Sequence, residues 1–301
     1  MRPALGLVLV VVAACGEVDE HRHLDGGGSG SADASPDARV PSCLGVPFSA
    51  PAPVTELNST APDEFLRLSS DELSAYFSRI GSAAPTMGYV ATRTSTTAAF
   101  GGIATLQMTG STSSEVLSPS VTADGRTILF TSSRQGGLGG LDIWMATRAT
   151  TADTFGNITN VSGANAAGAE EDVNVVPDGS AIYFSSDRNA GIPNVFRAAK
   201  SGATYSSPVV VLSDANMSVN RVVISEDELT MFYQEGNDIH EIHRNTKTDS
   251  WTVQATTAPE INSPNAEHPT WISNDGCRLY FETDRQGTQQ FDLYRAVRTP
   301  Q

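Results

Sequence analysis

Short apolar runs separated by turn-forming residues recur along this chain, and they recur in register. An apolar run such as residues 173–176 leads into a turn, which is Asp-Gly at 124–125, 178–179 and 275–276. Asp-Gly is a strong short hairpin signal because glycine accepts positive φ. A second run follows (127–132, 181–185, 278–283), a third ends near a basic residue (142–146, 194–198, 292–296), and a fourth starts after an aromatic, as at 208–212. Each unit therefore predicts four short strands.

Five units are present. Their acidic turn residues are Asp71, Asp124, Asp178, Asp227 and Asp275, spaced by 53, 54, 49 and 48 positions. Six positions on comes an aromatic column, Phe77, Phe130, Phe184, Tyr233 and Phe281. A second column holds Tyr89, Trp144, Phe196, His240 and Tyr294, each followed four positions later by a base: Arg93, Arg148, Lys200, Arg244 and Arg298. A third opens the units with Phe48, Phe100, Phe155, Tyr205 and Trp251. These columns hold 14 of the 21 aromatics, a sorting that chance does not produce. A four-stranded unit of about 40–50 residues cannot bury both faces alone. Set radially, such sheets cover one another and leave only short edges. The expectation is an all-β chain, a five-bladed β-propeller of four-stranded antiparallel blades over residues 47–298, with five units favouring five blades over six.

The pattern Ser-Pro, Asp-Gly, (Ile/Leu)-x-Phe-x-Ser-x-Arg, then Asp-(Ile/Leu)-(Trp/Tyr), resembles the WD40-like propeller repeat called PD40, found in TolB-type propellers and in those of prolyl-oligopeptidase-type enzymes. The fullest copies are 119–148, 173–200 and 269–298. Unit one (65–93) has Asp71-Glu72 at its turn. Unit four (219–244) has Asp227-Glu228, lacks Ser-x-Arg and places His240 in an aromatic column. The resemblance spans 48–298 and implies a fold, whereas function lives in sites grafted onto folds. It also implies a closure in which an N-terminal strand at 52–57 completes the last blade beside its third strand. That closure carries Cys43 and Cys277 to one end of the blade and points to a disulfide between them, a staple of about 4–5 kcal/mol in the chain-entropy model, with two unpaired thiols as the alternative.

Ahead of the repeats, Arg2 and the apolar residues 4–12 form a targeting segment (1–14), too short to span a bilayer. It ends Val12-Ala13-Ala14-Cys15-Gly16, which resembles the bacterial lipobox. The resemblance implies cleavage before Cys15, lipidation of Cys15 and a stable membrane anchor. Gly16 in place of Asp implies the outer membrane of a cell envelope, with either face open. Residues 15–46 are Gly-, Ser- and Ala-rich and predict a flexible tether; His21 and His23 belong to its solvated charge. Residues 299–301 form a short tail.

Composition narrows the function. The net charge is −15, and without basic clusters this argues against nucleic acid. No cofactor is expected. There is neither a Gly-x-Ser-x-Gly elbow nor an HExxH helix, and His240 and His243, three apart on a strand, face opposite sides. The loop Gly136–Gly140 precedes a strand, so it is a strand connection and not a phosphate cradle. Asn58, Asn157, Asn160 and Asn216 stand in Asn-x-Ser/Thr triplets that the bacterial context makes coincidental.

Two charged columns remain. Glu64, Glu115, Glu170/Glu171 and Glu267 precede the turns, and Arg79, Arg134, Arg188 and Arg285 follow them; unit four lacks both. Shared loss suits structural ion pairs, because half of a buried pair is costly to keep. The same glutamates, with Asp172 and His268, also suit an acidic funnel at the channel entrance that attracts cations or a basic segment. The expected role is non-catalytic binding of an envelope protein or other ligand by a monomer. The alternative is a carbohydrate-binding or glycoside-processing propeller using central carboxylates.

Overall fold

The computed structural model describes Cys43 and residues 45–299, except 82–85, 111–114, 190, 252–255 and 286–289. The targeting segment, Cys15 and the tether up to residue 42 lie outside the described residues. The propeller falls within the compact unit Val40–Gln301.

The described residues contain strands and no helix. In chain order the strands are β1 (Ala52–Pro53), β2 (Asp63–Leu68), β3 (Ser74–Arg79), β4 (Met87–Thr92), β5 (Gly101–Thr105), β6 (Leu117–Val121), β7 (Thr127–Ser132), β8 (Asp142–Thr147), β9 (Gly156–Asn160), β10 (Glu170–Val175) and β11 (Ala181–Ser186). There follow β12 (Asn194–Ser201), β13 (Thr204–Tyr205), β14 (Val209–Leu212), β15 (Val219–Ile224), β16 (Thr230–Glu235), β17 (Asp238–His243), β18 (Thr256–Thr257), β19 (Glu267–Ile272), β20 (Arg278–Thr283) and β21 (Asp292–Val297). They form five antiparallel blades: β2–β5, β6–β9, β10–β14, β15–β18, and β19–β21 completed by β1. In the third blade β13 and β14 share the outer edge of β12. This is a five-bladed β-propeller.

The closing strand is shorter than expected. Only Ala52 and Pro53 pair with β21. The chain then turns, with Leu57 N donating to Val54 O at 3.0 Å. Ring closure is reinforced elsewhere. A disulfide joins Cys43 to Cys277 with Cα atoms 5.1 Å apart, across 234 positions. The Arg298 guanidinium lies 3.7 Å from the Phe48 ring centre, at the two ends of the repeat region.

The residue columns explain the packing. Five hydrophobic clusters occupy the five interfaces between neighbouring blades; Phe184 and Leu129 meet in one, Tyr183 and Met231 in the next. Burying each such side chain contributes about 1.5–3 kcal/mol. The bases after the third strands cap the opening aromatics: Arg93 over Phe100, Arg148 over Phe155, Lys200 over Tyr205 and Arg244 over Trp251. Each turn Asp accepts the amide two residues on, as Leu73 N to Asp71 at 3.0 Å and Ser180 N to Asp178 at 2.8 Å.

The innermost strands of all five blades share a bulge. Register shifts fall between Glu64 and Arg67, Leu117 and Ser120, Glu171 and Asn174, Asn220 and Val223, and Pro269 and Trp271. Four residues in these bulges take positive φ: Phe65 at 59°, Ser118 at 49°, Asp172 at 57° and Arg221 at 52°. The fifth blade has Pro269 at the matching place, and its ring forbids that conformation. Non-glycine residues there cost of order 1–3 kcal/mol and persist where the surroundings impose them. All four line one cavity.

Candidate functional site at the channel mouth

The innermost strands β2, β6, β10, β15 and β19 surround the propeller axis. Where they begin, a cavity of about 290 Å³ opens. Glu64, Glu171, Asp172 and Arg221 form its polar side; Ile80, Leu117 and Leu141 line it as well. Arg221 is the hub. Its guanidinium approaches Glu64 and Asp172 at 3.5 Å and Glu282 at 2.9 Å, and it stacks over Phe65 with 4.1 Å to the ring centre.

The bulges place these groups. A bulge releases a backbone amide from the ladder, and a buried amide needs a new acceptor. Phe65 N donates to a Glu282 oxygen at 2.7 Å, and Arg221 N donates to Asp172 at 3.2 Å. The other Glu282 oxygen meets His268 Nδ1 at 3.0 Å. Asp172 and Glu282 thus hold the strands as well as the charge. Among the described residues the Glu64 carboxyl makes one long contact, with Arg221.

Proton affinities diverge across the cluster. Burial, with Glu282 close by, pushes the Glu64 carboxyl up to about 8. Burial would raise Glu282 too, but Arg221 and His268 outweigh it and hold that carboxyl below its usual range. Burial raises Glu171 as well, reinforced by Asp172. Behind the cluster, Arg67 crosses the channel. Its Nη1 donates to Thr270 O and Leu66 O, and its Nη2 to Val222 O at 3.4 Å. Burial lowers its guanidinium to about 10.

Of the funnel residues read from sequence, Glu64, Glu171 and Asp172 gather at the mouth, and His268 supports it through Glu282. Glu115 and Glu267 are elsewhere. Glu267 is fully buried and accepts from Ser263 N, Ser263 Oγ, Thr283 Oγ1 and Arg285. Glu115 accepts Ser133 N and Oγ, each at 2.6 Å. Two of the four expected ion pairs form as read from the sequence. Arg188 pairs with Glu170 at 2.9 Å and Arg285 with Glu267 at 3.2 Å, but Arg79 pairs with Asp63 at 2.7 Å, not with Glu64. Arg134 donates to the Glu115 carbonyl at 3.0 Å. The mouth is also not purely acidic, because Arg221 enters it.

Sequence reasoning missed Arg221, Glu282, Arg67 and Ser118. The signal for Arg221 was its place in the divergent unit four, where a cation replaces the missing Glu/Arg pair. The loop Gly136–Gly140 is built by Asp142, whose carboxylate accepts Leu138 N at 2.9 Å and Gly139 N at 3.3 Å. A Cβ on Gly139 would collide with Gly168 O, so the loop packs closely on the third blade. Among the described residues no group of three or more His, Cys, Asp or Glu is placed to hold a metal ion.

No family model matches this chain, and no curated protein matches it. Solved structures do. TolB from Acinetobacter baumannii aligns at 16% identity with a TM-score of 0.50 over 81% of this chain, which spans 56% of that protein. A thermostable family-43 glycoside hydrolase aligns at 11% identity and 0.53 over 81% of this chain and 96% of its own. The gluconolactonase XC5397 from Xanthomonas campestris aligns at 11% and 0.50 over 83% and 89%. At these identities the likeness is one of fold. The chain has a PD40/TolB-like propeller fold, shared by proteins of differing activity.

Proposed function

We propose that this protein is a non-catalytic binding propeller of a bacterial cell envelope, anchored through lipid on Cys15 and taking its ligand at the channel mouth. The observation that carries the reading is the cavity of about 290 Å³ where Glu64, Glu171 and Asp172 converge against one mouth guanidinium, Arg221. Partly uncompensated carboxylates in a concave, low-dielectric site focus an attractive field on cations, and the net charge of −15 extends it. The lipobox and the Gly/Ser-rich tether supply the envelope address, with the outer membrane favoured. The test is affinity capture: tagged full chain in detergent is incubated with envelope extract and with a glycan panel. Reproducible capture of an envelope protein, lost in the E64Q/E171Q variant, is the expected result. Equal capture by that variant defeats the mouth as the site.

A second reading is favoured by one observation. Glu64 holds its proton near neutrality while neighbouring Glu282 is held ionised. Paired carboxyls with divergent proton affinities are the requirement for glycoside chemistry. Retention of a glycan with no captured protein, followed by its turnover, would establish this carbohydrate reading instead.

A further inference from the structure

The mouth cavity has an apolar part and a polar part. Leu117, Leu141 and Ile80 supply hydrocarbon; Glu64 and Asp172 supply acceptors. Ser118 lines the same cavity. It is fully buried, and its Oγ has no hydrogen-bond partner among the described residues. A buried polar group left unpaired costs about 1–3 kcal/mol. Here the penalty falls on a residue already held at a φ of 49°. Packing does not require a hydroxyl at this position, since alanine would fit the same backbone without the orphan. The hydroxyl makes sense as one acceptor of a set awaiting a donor.

Three features define that donor. It is cationic, because the carboxylates at the mouth exceed the single guanidinium there. It is compact and can point several N–H groups at acceptors on different strands, which suits an ammonium; a planar guanidinium matches carboxylates edge-on. Arg221 already occupies that role for Glu64, Asp172 and Glu282. It also carries an apolar stem, because hydrocarbon lines the rest of the cavity. A volume of about 290 Å³ holds one long side chain.

We propose that the channel mouth takes up an aliphatic primary ammonium, the side chain of a lysine on a partner segment, with Ser118 Oγ, Glu64 and Asp172 as acceptors and Leu117 and Leu141 along its stem. This rests on the reading of the mouth as a binding site. Uptake is linked to a proton. Glu64 faces Arg221 on β15, Asp172 on β10 and Glu282 on β20, while His268 on β19 meets Glu282. Near neutrality Glu64 is protonated, so an arriving ammonium displaces that proton.

The test is calorimetric titration of the full chain with Nα-acetyl-lysine amide, using the norleucine and arginine amides as comparators. It is run at pH 7 in two buffers of different protonation heat. The lysine compound is expected to bind roughly tenfold or more tightly than either comparator, releasing most of one proton. S118A and E64Q are each expected to weaken it roughly tenfold, E64Q also abolishing proton release, with the disulfide retained and the melting temperature not lowered. Equal binding of the norleucine amide, or tighter binding of the arginine amide, overturns the proposal. If an envelope protein is captured through the mouth but acetyl-lysine amide neither binds nor competes, the lysine assignment falls and the binding reading stands. If acetyl-lysine amide binds but no envelope protein is captured, the lysine site stands and the envelope-partner reading falls.

Discussion

Glu64 and Glu267 both sit at the head of an innermost strand, yet their surroundings set opposite behaviours. Glu267 is fully buried beneath four donor groups, one of them Arg285. Glu267→Gln removes the charge facing Arg285 and breaks this set, so it should destabilise the fold by about 2–3 kcal/mol, read as a lower urea midpoint. Among the described residues the Glu64 carboxyl has only the 3.5 Å contact to Arg221. Its carboxyl lies near 8 in the fold against an ordinary 4.5. Between those values the folded state binds a proton that the unfolded state has released. Its contribution to stability is therefore full below about pH 4.5 and is lost as pH rises through 8. Glu64→Gln should flatten that part of the profile, so the variant melts higher than wild type at pH 9 and close to it at pH 5. An identical pH dependence in the two proteins would show that Glu64 does not carry the proton.

At the scale of the element, the two Asp-Glu turns were the weak copies of the repeat, and the structure gives them work. Glu72 and Glu228 occupy positive φ, at 60° and 54°, where the other turns have Gly125, Gly179 and Gly276. Each holds a neighbouring blade. Glu72 reaches Arg278 at 2.5 Å, and Glu228 accepts Arg197 Nε at 2.8 Å and Tyr183 OH at 2.7 Å. Burial pushes Glu228 up, but Arg197 and Tyr183 outweigh it and bring the carboxyl down to about 2. Glu228→Gly relieves roughly 1 kcal/mol of backbone strain but removes hydrogen bonds to charged partners, worth about 1.5–3 kcal/mol each. The variant should melt lower, against the preference of the turn. A second element-level device is an asparagine clamp: Asn58, Asn165 and Asn262 each pair Oδ1 and Nδ2 with the backbone N–H and C=O of Leu293, Ile143 and Ile239. Asn58, which stands in an Asn-x-Thr triplet, is thus part of the ring closure.

For the whole molecule, the ring is held where its ends meet. The closing strand contributes two residues, and the Cys43–Cys277 bond, the Arg298–Phe48 contact and the Asn58 clamp reinforce the closure. A bond spanning 234 positions contributes about 5 kcal/mol in the chain-entropy model. Cys277→Ser, or reduction of the native protein, should lower the thermal midpoint strongly while leaving the β-rich circular dichroism in place at low temperature. In non-reducing denaturant Cys43 and Cys277 should resist thiol reagents; reaction of both would refute the bond.

Blade number, most strand positions and the aromatic and basic columns were legible in the sequence, because each blade repeats one local pattern and burial forces the same residue types to the same places. The Glu/Arg pairs were legible in kind but misassigned at Glu64, because one position separates the two faces of a strand and a bulge shifts the count. The channel mouth was only half legible. Glu64, Glu171 and Asp172 carried charge at recurring positions, whereas Arg221, Glu282 and Ser118 belong to no column. Their meeting depends on positive-φ bulges and on closure of the ring, which bring β2, β10, β15 and β20 together from distant parts of the chain. Local periodicity determined the blades; only the closed tertiary structure decided which side chains share the axis and what charge they present there.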